Sequence, residues 1–218
     1  MTGKLKKSDY ISLCAGFLAL VVGLYAIFGL APDREVKSLG IFLFKILPFA
    51  LASVCIAFLN ADFLKKFKLH FPILLIGFLG YFAFFIPKIF FALDDFVTVY
   101  YLTLLEVPYI ILLISLAVRL GGGSTETCLR LSFAMLFLML SGIEDLAFLT
   151  VNHHTDPQWA TIPDVWTWAS HIKVIIGHYP TKYEAYVFIA VNVLLAVLIA
   201  FVPINKLKEK SAKNYEEI

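Results

Sequence analysis

Six stretches of almost uninterrupted apolar residues divide the chain, at roughly 10–30, 39–59, 71–93, 96–118, 128–151 and 183–203. Each has about the 20 residues that an α-helix needs to cross the hydrocarbon core of a bilayer. None alternates with the period of a half-buried strand, and backbone groups in lipid are satisfied within a helix. The expected fold is an all-α integral membrane protein, with about six transmembrane helices in one bundle. The whole of 1–218 reads as a single polytopic membrane domain.

The polar connections carry the orientation. Lys4, Lys6 and Lys7 precede the first span, and Lys65, Lys66 and Lys68 follow the second. Arg119 and Arg130 flank the fourth connection, and Lys206, Lys208, Lys210 and Lys213 follow the last span. With six spans these segments share one side, which the positive-inside rule makes cytoplasmic, so both termini are expected there. The first span follows a basic segment as a signal peptide would, but it lacks a small-residue cleavage site and reads as retained. A prokaryotic plasma membrane is the expected location.

The outer connections are then 31–38, a tight turn at Asp94-Asp95, and a segment of about thirty residues, 152–182. That segment exceeds ordinary loop lengths. It holds all three tryptophans, Trp159, Trp166 and Trp168, and four of the five histidines, His153, His154, His171 and His178. Pro163 to Ile176 has helical composition with a proline at its start, which predicts a short interfacial helix in this last outer loop.

Composition agrees. Hydrophobic residues make up 61% and charged residues 16% of the 218 positions, and the mean hydropathy is +0.86. That is well above a soluble domain, where apolar residues are about half. The net charge of +2 comes mainly from lysines at span ends, so no nucleic-acid partner is expected. Cys14, Cys55 and Cys128 show no CxxC or Cys/His spacing, which argues against a disulfide framework or a thiolate metal site. Gly121-Gly122-Gly123-Ser124 lacks the GxxxxGK[ST] pattern and reads as a turn ending at a Ser124 helix cap. Thr181-Lys182-Tyr183-Glu184 fits a capping box that starts the last span.

Charges inside spans cost about 2.5–3.5 kcal/mol each on insertion scales, so each calls for a reason. They are Lys45, Lys88, Glu106, Glu144 and Asp145. At a rise of about 1.5 Å per residue all five fall in the outer half, beneath the histidine-bearing segment. Pro48, Pro87 and Pro108 lie near Lys45, Lys88 and Glu106 and would bend their helices, opening space. Structural ion pairs that fix helix register would explain such charges too. Glu144 and Asp145 are adjacent, so they diverge by about 100° on a helix and only one faces any given cavity. His153 and His154 are consecutive, and His171 and His178 are seven apart, with no HxxxH or HExxH. No metal site is expected, and the sequence names no cofactor.

Lys6-Lys7-Ser8-Asp9-Tyr10-Ile11-Ser12-Leu13, followed by Gly16-Phe17-Leu18-Ala19, resembles the amphipathic lead-in and first span of CDP-alcohol phosphatidyltransferases. The resemblance covers under a tenth of the chain. The aspartate-rich DGxxAR motif of that family is missing at Asn60-Ala61-Asp62-Phe63-Leu64-Lys65-Lys66, so its chemistry is not carried over. Three classes of function remain. One is an enzyme acting on a lipid- or isoprenoid-like amphiphile, with Glu144, Asp145, Glu106 and His171 as acid–base groups. Lys45, Lys88, Trp166, Trp168, His153, His154 and His178 would then be its binding groups. The others are a proton-coupled transporter and a non-catalytic accessory subunit of a larger membrane complex. The expected partners are membrane lipid, an amphiphilic small molecule or partner membrane subunits.

Overall fold

A computed structural model describes residues 6–29, 36–69, 72–73, 76–77, 95–152 and 161–201. The predicted third span, 71–93, lies almost entirely outside them, as do Lys88, His153, His154 and Trp159. The described residues are helical throughout their regular structure. In chain order the helices are α1 (Lys7–Phe28), α2 (Leu39–Ala57), α3 (Ala61–Lys66), α4 (Phe96–Leu120), α5 (Thr125–Met139), α6 (Ile143–Asn152), α7 (Ser170–Ile176) and α8 (Lys182–Phe201). Four apolar segments, Lys7–Phe28, Leu39–Ala57, Tyr101–Leu120 and Lys182–Phe201, are long enough to cross a membrane. The bent pair α5–α6 makes a fifth if it acts as one span.

Helix starts follow local chemistry. The Ser38 hydroxyl accepts from the Ile41 N–H at 3.2 Å, and Asn60 accepts from the Phe63 N–H at 3.0 Å. Ser124 caps α5 by accepting from the Thr127 N–H at 3.1 Å, after a turn in which Gly122 has φ +108°. The expected capping box forms at α8: the Thr181 N–H donates to Glu184 at 2.8 Å, and the Glu184 N–H donates to the Thr181 hydroxyl at 3.3 Å. These bonds satisfy N–H groups that have no partner within the helix.

Helix α1 packs on α2, α2 packs on α4 and α5, and α8 packs on α5. Small side chains make the contacts. Ser12, Ala15, Ser53, Ala57, Ser115, Ser132 and Ala196 are buried, while Phe17, Ile27, Phe28, Val187, Leu194 and Phe201 are exposed on the outside of their helices. That inversion of the soluble pattern is expected in lipid, where close backbone approach and interhelical hydrogen bonds hold helices together. Ser12 donates to the Cys55 carbonyl at 2.8 Å, and Ser132 donates to Ser115 at 2.7 Å, which donates on to the Ile111 carbonyl at 2.8 Å.

Two expectations need correction. The fifth apolar run is not one straight helix: α5 ends at Met139 and α6 starts at Ile143, with axes 49° apart. The break is chemical, since Ser141 donates to the Leu138 carbonyl at 2.6 Å and accepts from the Ile143 N–H at 3.1 Å, while Gly142 has φ +79°. A left-handed residue inside the run is tolerable because it is glycine. The helix expected over Pro163 to Ile176 covers only Ser170–Ile176. Residues 164–166 pair instead with 180–182: the Trp166 N–H donates to the Pro180 carbonyl and the Lys182 N–H to the Asp164 carbonyl, both at 2.9 Å. This pairing draws Val165 and Thr181 into an isolated antiparallel bridge, which an α-helix there would preclude.

Candidate functional site

The pairing of 164–166 with 180–182 closes residues 161–182 into a lobe over α6 and α8. Its core is Leu149, Trp166, Ala169, Ile172, Ala185 and Ile189. Trp166 is wholly buried and stacks on Trp168 with centroids 5.6 Å apart and planes at 17°. A Lys182–Asp164 ion pair at 2.7 Å ties the rim.

The helix break sets the site. Helix α6 begins directly after Gly142, placing Glu144 and Asp145 in its first turn, where carboxylates are favoured by the helix dipole. As adjacency requires, the two diverge: Glu144 is exposed, whereas Asp145 is half-buried against the lobe. The Trp168 Nε1–H donates to Asp145 Oδ1 at 3.1 Å. His171, in the first turn of α7, arrives from the other side. Its Nε2 and Asp145 Oδ2 each lie 3.7 Å from the point a Cβ would occupy on Gly142. Carboxylate and imidazole thus both border the same glycine, at the corner where the fifth apolar run bends.

His171 is mostly buried, and its ring meets Phe188 edge-on, with centroids 6.2 Å apart. Its Nε2 and the Trp166 Nε1 are buried without a hydrogen-bond partner among the described residues. Burial drives the His171 pKa down from 6.5 to about 4, so the imidazole is neutral at physiological pH. The sign of the pH dependence follows. The unfolded chain takes up a proton near pH 6.5 that the folded one resists, so stability is full above that pH and falls between about 6.5 and 4. Acidification from pH 7.5 to 4 is expected to cost up to about 3 kcal/mol through this group. Melting curves of wild type and His171→Gln across that range check it, the variant being expected to show the shallower slope.

Among the described residues Asp145 has a hydrogen bond from Trp168 and the nearby charge of Glu144, and neither Lys45 nor Glu106 is among these contacts. Lys45 is half-buried on α2 and Glu106 is half-buried on α4. His178 Nε2 lies 3.2 Å from Glu184 Oε1, which joins the end of the lobe to the α8 cap. Among the described residues no three His, Cys, Asp or Glu side chains converge as a metal site. Sequence reasoning missed Gly142 and Ser141. A Ser-Gly pair within an apolar run is a known breaker signal, and it was the one available here.

Two cavities mark the ends of the bundle. One, of about 380 Å³, lies between the start of α2 (Lys37, Ser38, Leu39) and the end of α7 (Lys173, Val174, Gly177). The other, of about 240 Å³, is bounded by Lys6, Asn60 and Arg119, at the start of α1 and the ends of α2 and α4. The lobe therefore sits at the end opposite Lys6 and Arg119. Compared with protein-family models, with curated proteins and with solved structures, the chain matches none.

Proposed function

We propose that this chain is a multi-pass membrane enzyme acting on a lipid- or isoprenoid-like amphiphile, with Asp145 and His171 as its acid–base pair. The observation that carries this reading is the juxtaposition of Asp145 Oδ2 and His171 Nε2 over Gly142, with Trp168 orienting the carboxylate. A neutral imidazole and a carboxylate that border one glycine can exchange a proton with a substrate group held between them. The second oxygen of Asp145 is left for that role because the first accepts from Trp168. Trp168, exposed on the lobe and backed by the buried Trp166 on which it stacks, offers an apolar surface for a hydrocarbon chain. The cavity bordered by Lys37 and Lys173 lies along the same helix α7 and is large enough for a polar headgroup. The decisive experiment reconstitutes the protein with polar lipids and polyprenyl phosphates and follows their consumption by mass spectrometry, comparing wild type with Asp145→Asn. Turnover in wild type that the variant lacks supports the enzyme. Proton-linked dye signals in sealed vesicles without chemical turnover would replace it with a proton-coupled carrier.

The proposed topology is six spans with both termini cytoplasmic and the lobe outside. Its support is connectivity. Helices α2 and α4 both end near the cavity bounded by Lys6 and Arg119, so the chain between them returns to the far end. The apolar stretch 71–93, almost entirely outside the described residues, has the length to make that crossing. Lys6, Lys7, Lys65, Lys66 and Arg119 mark the end of the bundle that the positive-inside rule assigns to the cytoplasm. In intact cells a membrane-impermeant thiol reagent is expected to label Asp164→Cys and to spare Lys66→Cys. The reverse pattern would invert the orientation.

A further inference from the structure

We propose that the cavity between the start of α1, the α2–α3 corner and the end of α4 binds a phosphate ester. The case starts from Arg119. Its Nε donates to the Leu59 carbonyl at 2.8 Å and its NH1 to the Gly123 carbonyl at 2.9 Å. Both acceptors are neutral. No carboxylate pairs with this half-buried guanidinium among the described residues, and its NH2 takes no part in either bond. The two bonds anchor the guanidinium at the cavity wall and use the single Nε hydrogen and one of the two on NH1, which leaves the NH1–NH2 edge for two-pronged recognition of phosphate.

The rest of the lining fits the same ligand. Lys6 and Ser8 line the same cavity of about 240 Å³. Ser8 also belongs to the first turn of the 22-residue helix α1, and the Lys7 and Ser8 N–H groups enter none of the described hydrogen bonds. Asp9 is the carboxylate nearest that turn, and both its oxygens are engaged, one by the Lys6 N–H at 2.9 Å and the other by Asn60 Nδ2 at 3.3 Å. Asn60 is in turn fixed, since its Oδ1 accepts from the Phe63 N–H. The remaining charged group, Asp62, is an exposed carboxylate on the rim. Two cations and one carboxylate suit a phosphate joined to an alcohol: the phosphate sits between Arg119 and Lys6, and Asp62 accepts from a hydroxyl or ammonium on the alcohol. Bare inorganic phosphate would meet Asp62 as a repelling neighbour. This chemistry is shared by a lipid headgroup and by a soluble ester, and the site lies at the opposite end of the bundle from Asp145.

The test uses the full chain in neutral detergent with two probes, glycerol 3-phosphate in solution and phosphatidylglycerol in mixed micelles, binding being read by calorimetry and native mass spectrometry. Wild type is expected to bind at least one. Saturation by glycerol 3-phosphate assigns a soluble ester, and retention of phosphatidylglycerol alone assigns a lipid. Lys6→Gln with Ser8→Ala, neither of which removes a side-chain bond among the described residues, is expected to weaken binding about tenfold, the effect of one charge-assisted hydrogen bond. Arg119→Lys keeps the charge but loses the two-pronged geometry, and is expected to weaken binding about as much while the melting temperature reports whether the α2–α3 corner survives. Asp62→Asn is expected to raise affinity for inorganic phosphate relative to glycerol 3-phosphate. Binding of neither probe to wild type, or binding unchanged in both the Lys6/Ser8 and the Arg119→Lys variants, overturns the proposal.

Discussion

Asp145→Asn is expected to lower turnover of the amphiphile at least a hundredfold while the melting temperature stays close to that of wild type. The asparagine side chain has nearly the same shape and retains a carbonyl oxygen that can accept from Trp168 Nε1, so the 3.1 Å bond and the lobe above it need not move. What disappears is the group able to take up and release a proton, and positioned acid–base groups contribute about 10²–10⁴-fold. His171→Gln is expected to act in the same direction. Glu144→Gln is expected to cost less than Asp145→Asn, because the first turn of α6 directs Glu144 away from the lobe. A loss of activity that simply tracks a falling melting temperature in Asp145→Asn would assign the carboxylate a structural role and leave the catalytic reading without support.

Trp166→Ala is expected to be the most destabilising single substitution in the lobe. The side chain is wholly buried among Leu149, Ala169, Ile172, Ala185 and Ile189. Its removal leaves a cavity that the backbone pairing of 164–166 with 180–182 keeps from collapsing. Aromatic-to-alanine changes in well-packed cores cost about 3–5 kcal/mol. Trp166→Phe should cost much less, since the indole Nε1 has no described partner and no hydrogen bond is lost with it. Denaturation in mixed micelles, with proteolysis near Asp164 as a local readout, measures both. Equal and small effects would show that the tryptophan stack does not hold the lobe. Because Trp168 rests on Trp166 and also donates to Asp145, the alanine variant should lose activity as well, with Trp166→Phe restoring most of it.

Features determined within a few residues of chain were legible in the sequence. Apolar runs of bilayer length marked α1, α2, α4 and α8 because backbone hydrogen bonds in lipid close within each helix. Ser124 and the Thr181–Glu184 box were readable as caps since a cap is a contact over three residues. The divergence of Glu144 and Asp145 followed from helical geometry alone. The tertiary structure decided what depends on distant partners. Ser141 and Gly142 sit in an apolar run long enough for one span, and spans tolerate both residue types; the break is expressed where it makes room for the α7 lobe, with His171 and Ile172 packed against Gly142. Val165 and Trp166 have side chains that a helix would accept, yet they pair with residues about fifteen positions away because the ends of the lobe meet there. That choice moves His178 to Glu184 and leaves His171 beside Asp145. Which histidine meets which carboxylate is thus set by loop closure between segments remote in sequence, and neither hydropathy nor spacing encodes that closure.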